Sequence, residues 1–107
     1  MTLRQEKINN LIKHLVATFL ESETNKTSLI TVTNCEVSRD LKNATVFITV
    51  FPEDKESAVL DFVKRKRSDA KDFLKKHMTT RTVPFLDFEI DLGEKNRQRI
   101  DWLLNQH

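Results

Sequence analysis

The sequence predicts an α+β domain in which helices pack on one face of a small three-stranded sheet. Three observations carry this. Thr2–Leu20 repeats apolar residues at helical spacing. Two β-branched runs, Thr27–Ser38 and Ala44–Phe51, are joined by a short turn. A third alternating run, Val83–Leu92, follows them across a broken helical segment. An amphipathic helix needs a surface to lie on, and a strand, helical crossover and strand return to one sheet. These patterns leave the strand order open.

The chain has 107 residues, which predicts a single domain spanning residues 1–107. A chain of this size buries roughly 60–70% of its unfolded surface, enough for one core. Charged residues make up 32% and the net charge is +2, so any attraction for a polyanion must come from how the charges are placed. The charged N-terminus lacks the apolar core of a signal peptide, and no apolar run is long enough to span a membrane. The single cysteine, Cys35, supports neither a disulfide framework nor a zinc cluster. The expectation is a cytoplasmic protein.

In the first helix Ile8, Leu11, Ile12, Leu15, Val16, Phe19 and Leu20 share one face, and Thr2 with Gln5 fits a capping box. Polar residues Glu21–Lys26 read as a loop. In the first strand Leu29, Thr31, Thr33, Cys35 and Val37 hold one phase and Ile30 and Val32 the other, which predicts a bulge near Asn34 or two buried faces. Ser38–Asn43 is turn chemistry, so the first two strands form an antiparallel hairpin. Pro52 ends the second strand. Glu53 and Asp54 open a helix with acids at its positive end. Val59, Val63, Ala70, Phe73 and Leu74 fall on one face of that helical segment and Lys64, Arg67, Lys71 and Lys75 on another. Lys66 would intrude on the apolar face of a straight helix, while Ser68 is a good N-cap with Asp69 and Asp72 after it. Two helices, Glu53–Arg67 and Asp69–His77, meeting at Ser68, accommodate both facts. In the third strand Leu86, Phe88, Ile90 and Leu92 face one way and Phe85, Asp87, Glu89 and Asp91 the other. Gly93 breaks it, and Glu94–Asn105 forms a last amphipathic helix with Ile100, Leu103 and Leu104, and Trp102 nearby.

Little here suggests catalysis. One glycine cannot build a dinucleotide or Walker loop, and His14, His77 and His107 show no metal spacing, so no cofactor or metal is expected. Cys35 reads as a small buried hydrophobe, and Asp87, Glu89 and Asp91 as a solvated strand face. The chemical signal is charge. Residues 64–81 hold eight cations, Lys64, Arg65, Lys66, Arg67, Lys71, Lys75, Lys76 and Arg81, against two acids. This is either a solvated helix face or a surface that follows successive phosphates. Phe47 and Phe51 read as core residues, with a base-stacking platform as the alternative.

Three stretches together resemble the bacterial ribosome-binding factor A family. Val37-Ser38-Arg39-Asp40-Leu41-Lys42-Asn43-Ala44-Thr45-Val46 is similar to its hairpin motif. Ala70-Lys71-Asp72 stands at its Ala-x-Gly interhelical kink, with Asp72 in place of the glycine. Arg81-Thr82-Val83-Pro84-Phe85-Leu86-Asp87-Phe88 is similar to its R-x-V-P-x-L-x-F motif, and Arg99-Ile100-Asp101-Trp102-Leu103-Leu104 to its ending. The resemblance implies a type II KH-like domain whose kinked helix pair replaces a GxxG loop. It implies a non-enzymatic factor that binds the small (30S) ribosomal subunit and its 16S rRNA in late maturation and rRNA processing, notably in the cold. On this reading the protein is a monomer with no small-molecule substrate. Lys64, Arg67, Ala70, Lys71, Lys75, Lys76 and Arg81 form the RNA-binding face, with Arg39 and Lys42 as outlying contacts. The alternative is a protein-interaction module docking a partner through an apolar helix stripe or a strand edge. A small α+β enzyme is the remaining class.

Overall fold

The structure, a computed structural model, describes residues 3–23 and 28–105. Its elements are α1 (Leu3–Glu23), β1 (Leu29–Val37), β2 (Asn43–Phe51), a 3₁₀ turn (Glu53–Lys55), α2 (Glu56–Arg65), α3 (Arg67–His77), β3 (Phe85–Ile90) and α4 (Leu92–Leu104). The sheet order is β1-β2-β3. β1 and β2 are antiparallel, as the short turn between them requires, and β3 returns parallel to β2 through the helical crossover. The capping box at Thr2 lies outside the described residues, as does 24–27 of the expected loop and strand start.

The core is the helix-facing side of the sheet. Ala44, Val46, Ile48 and Val50 of β2 alternate inward with Leu86 and Phe88 of β3. Ile12, Val16, Phe19 and Leu20 of α1, Val59 and Val63 of α2, and Ala70 and Leu74 of α3 close over them. Most of the apolar residues anticipated from periodicity in these helices are buried or packed against this core, but Leu11 of α1 is exposed and Phe73 of α3 only half-buried. The mixed phase of β1 resolves as a bulge at Thr33: Val32 pairs with Ile48 and Asn34 with Phe47. The extra residue switches the inward set from Ile30 and Val32 to Cys35 and Val37. Thr33 Oγ1 donates to Asp91 Oδ2 at 2.6 Å, and Asp91 Oδ1 accepts from the Glu94 N–H at the start of α4. These bonds hold the Asp91 carboxyl below its ordinary range, the Glu94 N–H being the larger cause. The bulge thus anchors the N-cap of the last helix.

Three boundaries differ from expectation. The first helix runs to Glu23, beyond Leu20, and Phe19 and Leu20 are buried within it. The helix break falls at Lys66, not Ser68. Lys66 has φ −94° and ψ 8°, and Ser68 lies inside α3 with no capping role. The break places Lys66 outside the apolar stripe, 3.6 Å from Glu23 and 3.7 Å from Asp69, with its ammonium over the Phe62 ring. Consequently Ala70 and Asp72 lie within α3 rather than at a kink; the Ala70 N–H already donates to Lys66 O at 2.9 Å. Finally, β3 ends at Ile90, so Leu92, expected on the inward face of the strand, opens α4 and is exposed, and Gly93 lies within that helix.

Unlike the other α-helices, α4 contributes no buried residue. Ile100, Trp102, Leu103 and Leu104 are exposed. Its hold on the body is polar: Lys95 pairs with Glu53 at 2.9 Å and Glu56 at 3.0 Å, and Arg99 with Glu53 at 2.6 Å. Phe51, read as core, is also exposed at the end of β2.

Two buried groups generate tests. The edge strand β1 presents Val37 to α1, where Asn9 Oδ1 accepts its N–H at 2.8 Å and Gln5 Nε2 donates to its carbonyl at 3.3 Å. Replacing Asn9 by Ala leaves a buried donor unpaired and lowers unfolding free energy by about 1–3 kcal/mol, read as a shift in the urea midpoint. The Cys35 thiol is pushed up from 9.0 to about 12 by burial and, secondarily, by the Glu36 charge. A raised pKa gives stability that is complete below pH 9.0 and lost as pH climbs through about 12. Denaturation across that interval is expected to show a steeper alkaline decline for the native chain than for Cys35→Ala.

Candidate nucleic-acid interface

The basic stripe is aimed by the core. Because Val63, Ala70 and Leu74 must face inward, Lys64, Arg67 and Lys71 are carried over the edge of β3. There they meet the outward-facing side chains of that strand. Lys64 Nζ lies 3.9 Å from Asp87 Oδ1, and Arg67 lies 3.3 Å from the same oxygen. The Lys71 ammonium sits 3.4 Å from the centroid of Phe85, which is 64% exposed. This is close enough for a cation–π contact.

Arg67 has a second bond. Its Nε donates to Lys64 O at 2.9 Å, a carbonyl in the last turn of α2 that the Lys66 N–H also approaches. A single guanidinium therefore joins the end of α2 to β3. The expected stripe divides into two groups. Lys64 and Arg67 are tied to Asp87, while Lys75 and Lys76, exposed further along α3, have no acidic partner among the described residues. Ala70 is 1% exposed and belongs to the core, so the expectation that it touches a ligand is withdrawn. It packs beneath the surface that carries the cations.

Arg39, Lys42 and Arg81, separated in sequence, converge at the end of the sheet where β2 and β3 begin. The Phe85 N–H donates to Lys42 O at 2.9 Å, joining the hairpin turn to the R-x-V-P segment. The turn is closed by Ser38 N–H to Asn43 O at 2.8 Å and Leu41 N–H to Ser38 O at 2.9 Å. Asp40 accepts from Ser38 Oγ at 2.6 Å and from the Lys42 N–H at 3.1 Å, the serine bond being the larger reason its carboxyl stays well ionised. Leu41 closes the turn with φ 62°, a left-handed conformation usually given to glycine or asparagine. Its side chain packs against the core, which holds it there. Arg39 and Arg81 line one cavity, together with Arg4 of α1.

Sequence reasoning missed Arg4 and Phe85. Arg4 gave no local signal, since its neighbours in the cavity come from distant segments. Phe85 was visible as an aromatic on the polar phase of β3. Of the carboxylates on that phase, Asp87 is an ion-pair partner and Asp91 a helix cap. Among the described residues, no three His, Cys, Asp or Glu side chains form a metal-sized group, and no helix is long and apolar enough to cross a membrane.

Comparison with known proteins matches residues 4–104 to a family model described as ribosome-binding factor A. A ribosome-binding factor A from Magnetococcus marinus is 33% identical over 98% of this chain and 89% of its own length. One from Stutzerimonas stutzeri is 34% identical over 96% and 84%. Among solved structures, the crystal structure of ribosome-binding factor A from Thermus thermophilus aligns with a TM-score of 0.73 at 21% identity, covering 80% of this chain and 93% of that one. A Thermus thermophilus homology model fitted into a cryo-EM map of a 30S–RbfA complex aligns at 0.66 and 21% identity, covering 76% and 88%. At such identities the structural likeness speaks for the fold.

Asp87 competes with any anion for Lys64 and Arg67. Both ion pairs are half-exposed, so Asp87→Asn costs under about 1 kcal/mol of stability. It is expected to tighten binding of a single-stranded RNA a few-fold. The salt dependence should steepen by roughly 0.7 for one added phosphate contact. Fluorescence anisotropy over a salt series reads both.

Proposed function

This chain belongs to the ribosome-binding factor A family, and on that premise we propose that it binds the small ribosomal subunit and its 16S rRNA during late subunit maturation. The family match along residues 4–104 is the observation that carries the reading. The 30S complex known for a Thermus relative supports it. So does the charge pattern, which provides what a sequence-independent grip on an RNA backbone needs: fixed cations on a rigid platform, several of them without protein partners.

In this proposal the protein works by occupancy, not catalysis. Lys71, Lys75 and Lys76 on α3 hold successive phosphates, and Lys64 and Arg67 join them when a phosphate displaces Asp87. Arg39, Lys42 and Arg81 hold RNA at the end of the sheet. The exposed Phe85 ring beside Lys71 offers a face on which a splayed base can stack. The KH-like body supplies rigidity, and the bound factor stabilises one rRNA conformation until the subunit matures. The protein acts as a cytoplasmic monomer without a cofactor or small-molecule substrate.

A second reading rests on α4. Its exposed Ile100, Trp102, Leu103 and Leu104 suit a protein partner better than a phosphate backbone. The apolar stripe of α1, by contrast, is used up in the core apart from Leu11.

Salt and charge reversal separate the two readings. Co-sedimentation with purified small subunits should weaken steeply as salt rises. The double variant Lys71→Glu/Lys75→Glu should lose binding by at least about tenfold while keeping its thermal midpoint within a few degrees. Binding that ignores both salt and the double variant would overturn the RNA-surface reading in favour of an apolar interface.

A further inference from the structure

We propose that the cavity between the N-terminal turn of α1, the β1–β2 turn and the segment before β3 is a pocket for one phosphate group, gripped jointly by Arg4, Arg39 and Arg81. The cavity measures about 310 Å³, and its wall includes Asp40, Thr80 and Thr82 as well as the apolar Ile8, Leu41, Met78 and Pro84. The size fits a nucleotide-scale group rather than a water or a lone metal ion. This inference deepens the RNA-binding reading and rests on it for the source of the phosphate.

Four observations support the pocket. First, none of the three guanidiniums has an ion-pair partner among the described residues. By contrast Lys64, Lys66 and Arg67 at the helix break and Lys95 and Arg99 of α4 are matched by Asp87, Glu23, Glu53 and Glu56. Second, the carboxylate in the wall is already engaged. Asp40 bonds to Ser38 Oγ and the Lys42 N–H inside its own turn, and against three guanidiniums it leaves the cavity with an excess of two positive charges. That excess suits the one to two negative charges of a phosphate group. Third, Arg4 lies in the first turn of α1, where the helix dipole disfavours a cation. An anion between Arg4 and its two neighbours relieves both that penalty and their mutual repulsion. Fourth, the backbone on two sides of the cavity is fixed. The hydrogen-bonded turn and the left-handed Leu41 fix the backbone that carries Arg39, and the Phe85 N–H bond to Lys42 fixes the start of β3 beside it. Guanidinium forks suit phosphate oxygens in the way a lysine point charge does not.

The pocket differs from the α2–α3 stripe in a measurable way. Cations spread along a stripe each neutralise their own phosphate, whereas three arginines in one pocket share a single phosphate. Salt dependence of RNA binding counts phosphates, at roughly 0.7 in log–log slope per contact for a single strand. The test measures single-stranded RNA binding over a salt series for Arg4→Gln, Arg39→Gln, Arg81→Gln and their triple variant, with Lys75→Gln as a stripe control. In parallel, inorganic phosphate is titrated into the full chain while the arginine Nε–H signals are followed by NMR.

Each single variant is expected to weaken RNA binding about 5–10-fold and to lower the slope by about 0.7. The triple variant should lower the slope by no more than a single one does. Phosphate should move the Arg4, Arg39 and Arg81 signals with one common midpoint, a response that Lys75→Gln keeps and each arginine variant loses. Slopes that fall additively to about three times 0.7, or signals with separate midpoints or no movement, would overturn the pocket. Common movement with phosphate but an unchanged RNA slope would uphold the phosphate site and overturn RNA as its source. If the wild-type chain binds no RNA, the reading under Proposed function fails, and the phosphate titration alone decides the pocket. Arg81→Lys, which keeps the charge but loses the fork, should fall between wild type and Arg81→Gln; equivalence to wild type would count against guanidinium recognition.

Discussion

The structure depends on one conflict in the helical segment between β2 and β3. Val63 and Ala70, seven residues apart, both have to enter the core, and Lys66 between them cannot. A continuous helix would put the ammonium against the sheet, where an unpaired charge costs several kcal/mol. A single non-helical residue at Lys66 removes the conflict. The apolar stripe continues across the break, the ammonium turns out to Glu23, and the Lys66 N–H tightens the last turn of α2 by bonding to Val63 O at 3.1 Å. Arg67 bonds the Lys64 carbonyl of that turn and reaches β3 through Asp87.

From this break follows the division of the basic segment into structural and available charge. Cations near the break hold elements together: Lys66 ties α1 to the α2–α3 junction, and Lys64 and Arg67 tie that junction to β3. Their pairs are solvent-accessible and individually worth little, so a phosphate can displace Asp87 at modest cost. Cations further along α3 and at the end of the sheet have no such duties. In the strongest local charge density of the sequence, Lys64–Arg67, three of the four cations are therefore involved in the fold, Arg65 being the exception. The sparser arginines at positions 4, 39 and 81 line one cavity at the end of the sheet.

The two ends of the sheet differ in kind. Where β2 and β3 begin, a strained and heavily hydrogen-bonded turn faces arginines. Where β2 ends, Phe51 is exposed near Trp102 and Leu103 of α4, a helix attached through Glu53 and Glu56 rather than through buried surface. Polar attachment of this kind weakens with salt and carries little of the stability that burial gives the core.

Periodicity alone determined the α+β class, the inward face of β2 and, as far as Ile90, that of β3, the burial of Cys35 and most of the apolar sides of the first three α-helices. Period 2 and period 3.6 record directly which side of an element avoids water. The bulge near Asn34 was legible for the same reason, since an inserted residue swaps the inward set of an alternating strand partway along its length. Local propensity failed where packing overruled it. Ser68 is a better cap than Lys66, yet the break sits where a charge must leave the core, and Ala70, adjacent to the cations in sequence, is buried under them. Glycine at 93 joins a helix because Asp91, held by the bulge at Thr33, caps it from two residues before. Tertiary structure alone decided that β2 is central, that Asp87 neutralises two cations of the stripe, and that Arg4 meets Arg39 and Arg81. Each depends on segments far apart in the chain, and a charge in a sequence does not reveal which distant charge it will face.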